Sequence, residues 1–299
     1  MPLRLTALML AVAIAGCSSS SNMNASPPPP PPPPPAPPPP PPPTGRLYVG
    51  LDDLPGSILV YNLPLTNGAA PTTTVAHDAN NGMTVNSTTL AVTDIENYSV
   101  AFYTLPLTSA SAPYATWLQG NLASPLFVSS GALYYGATNM INVYTPPFTS
   151  TSTPSSHIAT AGFSFARMAV DPSGHVYQIA GNVISVVYNG VLTTTLTATP
   201  GTEFRAPAAS ATQLFVCETN GSANHVYVYA LPLTSTSTPT LIMNPNTDAP
   251  SDCALDSSGN LYIASAHTVA LFAPPFTTSS HSTVGITLQG GAGAMAIGQ

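Results

Sequence analysis

From residue 46 to the C-terminus, apolar and polar residues alternate in short runs broken by Gly, Ser, Asn or Pro. A period of two belongs to strands with one buried face, and no stretch keeps the 3.6-residue period of an amphipathic helix. The runs come in sets of four. In the clearest set the strands are 253–256, 260–264, 269–272 and 283–288, with Ser257-Ser258-Gly259 as the first turn. A second set reads Met168-Ala169-Val170-Asp171-Pro172-Ser173-Gly174-His175-Val176-Tyr177. Asp-x-Ser-Gly is turn chemistry, because Asp caps the first position and Gly takes a positive φ.

The sets repeat. An apolar residue, an aromatic, a short turn and then Pro-Leu-Thr or Pro-Phe-Thr recur, as in Val60-Tyr61-Asn62-Leu63-Pro64-Leu65-Thr66 and Leu271-Phe272-Ala273-Pro274-Pro275-Phe276-Thr277. The aromatic anchors are Tyr61, Tyr103, Tyr144, Tyr188, Tyr229 and Phe272, at intervals of 42, 41, 44, 41 and 43 residues. The fourth copy, Val187-Tyr188-Asn189-Gly190-Val191-Leu192-Thr193, has lost its proline. A period in the low forties is that of one four-stranded propeller blade. Leu47-Tyr48-Val49 matches a second strand with no first before it, whereas Gly293-Ala294-Met295-Ala296-Ile297 matches a first strand with nothing after it. Joining them closes the ring and removes sheet edges that would pair with other chains. The expectation is an all-β, six-bladed β-propeller over 46–299, closed by its C-terminal strand and monomeric.

Asp171-Pro172-Ser173-Gly174-His175-Val176-Tyr177 and Asp256-Ser257-Ser258-Gly259-Asn260-Leu261-Tyr262-Ile263-Ala264 resemble the repeats of NHL-type six-bladed propellers, a group that includes SMP-30/gluconolactonase-like proteins. The resemblance spans the whole of 46–299 through short motifs. Lactonases of the SMP-30 type hold a metal with Glu, Asn and Asp around the central channel. Here the first-blade position is Ala294, no matching Glu is present, and Asp252 alone falls short of the six to eight oxygens of a calcium site.

The N-terminus carries different signals. Arg4, an apolar run over 5–14 and Ala15-Gly16 read as a signal segment over 1–16, too short to span a bilayer. Ile14-Ala15-Gly16-Cys17 resembles the bacterial lipobox, which implies lipid on Cys17 and stable anchoring by two or three acyl chains. Ser18, where an Asp would retain the protein, implies the outer membrane in a Gram-negative host. Residues 27–43 are proline except Ala36, which makes 17–45 a lipidated linker ending in a polyproline II spacer on the order of 50 Å long.

Composition narrows the partners. Only 5% of residues are charged, there is no lysine, and the formal net charge is −7. Nucleic acid is excluded as a partner, since counterion release needs clustered Lys and Arg. A protein, a glycan or a small anionic ligand remains open. Aligning the repeats places Arg167, Arg205 and Asp252 at the openings of innermost strands, and Asp94 and Glu218 just after second strands. These five form a candidate axial cluster, either a shallow ligand pocket or an internal Arg–carboxylate network. The six histidines lie scattered in turns and loops without zinc-ligand spacing and are expected to be solvated. Cys217 and Cys253 fall on adjacent blades, where either free thiols or a disulfide are open. No nucleophile elbow, phosphate-binding loop or dinucleotide fingerprint occurs, and neither a metal nor a cofactor is expected. The leading expectation is a non-enzymatic, membrane-anchored binding or scaffold module. The alternatives are a lactonase-like hydrolase or lyase on the axial face and a structural envelope component.

Overall fold

A computed structural model describes residues 45–298 except 54–55, 78–79, 95–96, 119–123, 138, 161–166, 199–202 and 219–223. The expected signal segment, Cys17 and the polyproline run lie outside the described residues.

The described residues form twenty-four strands in six antiparallel sheets of four. Blade 1 combines β1 (Gly45–Leu51), β2 (Ser57–Leu63) and β3 (Thr73–Ala76) with the last strand, β24 (Ala292–Gly298). Blade 2 is β4 (Asn80–Val85), β5 (Thr89–Asp94), β6 (Ser99–Thr104) and β7 (Ala115–Leu118). Blade 3 is β8 (Pro125–Phe127), β9 (Leu133–Ala137), β10 (Met140–Tyr144) and β11 (Ser156–Ala159). Blade 4 is β12 (Arg167–Val170), β13 (Val176–Ala180), β14 (Val183–Tyr188) and β15 (Val191–Thr197). Blade 5 is β16 (Phe204–Ala209), β17 (Gln213–Glu218), β18 (Val226–Ala230) and β19 (Leu241–Met243). Blade 6 is β20 (Pro250–Leu255), β21 (Leu261–Ser265), β22 (Thr268–Phe272) and β23 (Val284–Thr287). The chain is therefore a six-bladed propeller, and β24 closes it by pairing with β1 in the register Leu47↔Ile297, Tyr48↔Ala296 and Val49↔Met295. The expected closure holds.

The repeat motifs do local work. Asp171 Oδ1 accepts the N–H groups of Ser173 and His175, and Oδ2 accepts the Tyr177 hydroxyl. Asp256 does the same with Ser258, Asn260 and Tyr262. Each carboxylate both closes a turn and satisfies a phenol in the blade core. The Pro motif of five blades supplies a cis peptide at the turn between third and fourth strands, as at Leu63-Pro64 and Pro274-Pro275. Blade 4 uses Asn189-Gly190 instead, with φ of 49° and 76°, a two-residue hairpin turn that needs no proline. Its anchor differs accordingly: Tyr188 is 38% exposed and stacks on His175, whereas the other five anchors are buried.

The core lies between blades. Phe102 and Trp117 of blade 2 pack with Tyr144 and Phe148 of blade 3, and the Trp117 indole N–H donates to the Thr149 carbonyl. At the axis the inner strands run so close that a Cβ on Gly82 would sit 2.6 Å from the Cα of Ser124. Second and fourth strands end, and first and third strands begin, on what we term the upper face. The Asp turns and Pro turns lie on the lower face, where the chain also enters β1.

Candidate functional site

Among the described residues, one side chain crosses the upper end of the channel. Arg167 opens β12 on blade 4, and its Nη2 donates to the Gly293 carbonyl of β24 at 2.9 Å. Its Nη1 pairs with Asp252 Oδ2 of blade 6 at 3.2 Å. Asp252 also accepts the backbone N–H groups of Met295 at 2.6 Å and Cys253 at 2.9 Å. Arg167 thus ties its own blade to the opposite blade and to blade 6. Burial pushes the Asp252 carboxyl above its ordinary value of 3.8, while Arg167 and the two N–H groups pull the other way. Below this bar the channel is an apolar well of about 210 Å³ lined by all six inner strands, among them Met83, Leu126, Val170, Ala208, Cys253 and Ile297.

The five candidate residues do not meet at one point. Arg167 and Asp252 do, as an internal ion pair. Arg205 does not, because it is itself the bulge residue between Phe204 and Ala206 of β16, as Ser251 is between Pro250 and Asp252 of β20. Ala206, and not Arg205, is consequently the partner of Cys217 and the true counterpart of Arg167. The extra residue turns outward, and Arg205 pairs with exposed Glu203 at 3.1 Å. Asp94 ends β5 and accepts the backbone and side-chain N–H groups of Asn97. It lines a separate cavity of about 530 Å³ between blades 1 and 2, together with His77, Ser99 and Tyr103. His77 Nδ1 lies 2.8 Å from the Tyr103 hydroxyl.

Glu218 ends β17 with its side chain only 2% exposed, and its Oε2 lies 3.0 Å from Nδ1 of His225. The imidazole keeps 28% of its surface and meets Tyr227 edge-on at 5.9 Å. The main chain fixes the pair, since the Glu218 N–H donates to the His225 carbonyl at 2.9 Å across the connection between β17 and β18. A buried carboxylate on one nitrogen of a partly exposed imidazole is the arrangement of an oriented general base. The expectation of solvated histidines missed it. The available signal was a Glu and a His bracketing a second-to-third-strand connection on the upper face. His175 makes a similar contact with Asp171 at 3.0 Å on the lower face. That carboxylate already serves the turn and Tyr177, and Asn260 stands in the same place beside Asp256.

A metal does not fit the axial position. Asp252 already faces a guanidinium, and among the described residues no three His, Cys, Asp or Glu side chains are grouped to hold an ion.

No known family profile matches the chain, and no curated protein matches it in sequence. Its fold recurs in solved structures. The periplasmic gluconolactonase of Pseudomonas aeruginosa is similar with a TM-score of 0.61 and 12% identity, over 85% of this chain and 98% of that one. A candidate 6-phosphogluconolactonase of Bacteroides uniformis gives 0.59 and 13%, over 84% of each chain. The WD40 propeller domain of Doa1 gives 0.57 and 13%, over 84% and 82%. At such identities the likeness is one of fold. It overturns the expectation of a non-enzyme all the same, because propellers of this fold include a gluconolactonase and a candidate 6-phosphogluconolactonase.

Proposed function

We propose that the chain is an extracytoplasmic, lipid-anchored hydrolase of the lactonase type, with His225 as its catalytic base and Glu218 as the residue that positions it. The buried Glu218–His225 pair on the upper face carries this reading. Glu218 accepts the Nδ1 proton and so leaves Nε2 as the basic nitrogen. Nε2 takes a proton from water while the water oxygen bonds to the lactone carbonyl carbon. The ring C–O bond then breaks, and the imidazolium returns the proton to the departing alkoxide. One water is consumed and one hydroxy acid forms. The Glu218 carboxylate stabilises the transient imidazolium. No step passes through a metal. A net charge of −7 with few cations favours a neutral sugar lactone over a phosphorylated one.

The fold shared with a periplasmic gluconolactonase supports the substrate class. Cys17 after Ile14-Ala15-Gly16 supports the anchor. The test is a pH-stat assay of the full chain in detergent on δ-gluconolactone and related sugar lactones. Hydrolysis above the spontaneous rate is expected, with kcat falling about 10²–10⁴-fold in His225→Ala. A wild-type rate equal to the spontaneous rate on every lactone, or full activity in His225→Ala, overturns the reading.

A further inference from the structure

Cys217 lies on β17 of blade 5 and Cys253 on β20 of blade 6. Both side chains belong to one core cluster between these blades, together with Ala206, Phe215 and Ile263. The Cys253 Sγ–H donates to the Ala206 carbonyl at 3.1 Å, and Ala206 is the register partner of Cys217. The two thiols therefore converge on one residue from opposite sides of the blade junction. In the structure both are free, buried thiols, and burial first, with Cys253 beside it, pushes the Cys217 thiol up. Cys217 is 0% exposed and Cys253 5%, but Cys253 also lines the apolar well that opens towards the lower face.

We propose that Cys217 and Cys253 form a disulfide that staples blade 5 to blade 6 in the exported protein. This rests on the extracytoplasmic location proposed above. The oxidant is a dithiol–disulfide carrier of the compartment. Cys217 and Cys253 lose two protons and two electrons, one S–S bond forms, and the carrier disulfide is reduced to two thiols. Oxidation occurs while blade 6 docks on blade 5, before the thiols are sealed, and the finished core then shields the bridge from reductants. The bridge holds blades 5 and 6 at the junction beside the Asp252 pair, where Cys253 directly follows the carboxylate held by Arg167. It also constrains the chain from 217 to 253, the segment that contains His225.

The experiment isolates the exported full chain, denatures it without reductant and counts thiols with a maleimide by mass. No labelled cysteine at 217 or 253 is expected before reduction, and two after it. Two labelled cysteines before reduction in chain whose signal segment has been removed overturn the proposal. Chain that keeps its signal segment refutes the location instead. The bridge is then tested on reduced, denatured protein refolded with oxidised glutathione. An intramolecular bridge supports it, and glutathione adducts on either thiol or bridged dimers overturn it. The bridged form should unfold about 5–10 °C higher than the Cys217→Ala/Cys253→Ala variant, a shift expected from closing a loop of this length.

Discussion

Replacing Arg167 by methionine removes the side chain that crosses the channel among the described residues and keeps most of its apolar stem. At 3.2 Å the attraction between Arg167 and Asp252 is about 5 kcal/mol at an effective dielectric of about 20. Desolvation offsets part of it in the wild type. In the variant the desolvated carboxylate stays while its cation is gone, so the expected loss is about 3–4 kcal/mol at pH 7. For a ring of this size that lowers Tm by about 6–12 °C. The pH dependence has a definite sign. The folded Asp252 has its pKa raised above 3.8, so just above that pH the native state binds more protons than the unfolded state. Its contribution to stability is full below 3.8 and falls as pH rises through the folded value. Removing Arg167 takes away the counter-charge that limits this rise, so the variant's deficit is largest at neutral pH and shrinks as Asp252 is protonated. Thermal unfolding of wild type and Arg167→Met from pH 7 to pH 4 measures this, with Arg167→Met/Asp252→Asn as the control that removes the orphaned charge. A Tm difference under 2 °C at pH 7, or one that does not narrow on acidification, refutes the reasoning.

Three further outcomes are expected. Glu218→Gln should lower kcat for sugar lactones about tenfold or more with KM little changed, because it loosens the imidazole without touching substrate; steady-state kinetics checks the split. Gly82→Ala forces the inner strands of blades 2 and 3 apart, because the new Cβ meets the Ser124 backbone, and should cost about 1–3 kcal/mol in denaturant unfolding. Cys17→Ser should abolish incorporation of labelled fatty acid and release the chain from the membrane fraction, and retention of label in that variant would remove Cys17 as the anchor.

The blade count, the strand order and the split first blade were legible in the residues because they depend on short-range rules. A period of two, an Asp turn and a recurring aromatic act within one blade, and each copy repeats the evidence. The loss of proline in the fourth copy was equally visible, although its consequence was not: Asn189-Gly190 replaces the cis-proline turn and leaves Tyr188 on the surface. The axial chemistry was only half legible. Aligning repeats found Arg167 and Asp252, but the turn of blade 5, Ser210-Ala211-Thr212, lacks the Asp and Gly that fix the count, and its alignment was one residue off. Counted back from the turn, Arg167 and Asp252 lie four residues before Asp171 and Asp256, and the residue four before Ser210 is Ala206; Arg205 is the bulge residue and faces outward. Glu218 was identified as a position, while its partner His225 emerged only from the meeting of the end of β17 with the residues that lead into β18. Local pattern determined which residues face inward along each strand. The tertiary structure alone decided which of them touch across blades, since Cys253 meets Ala206 only when blade 6 docks on blade 5, and Arg167 meets Gly293 only when the last strand closes the ring.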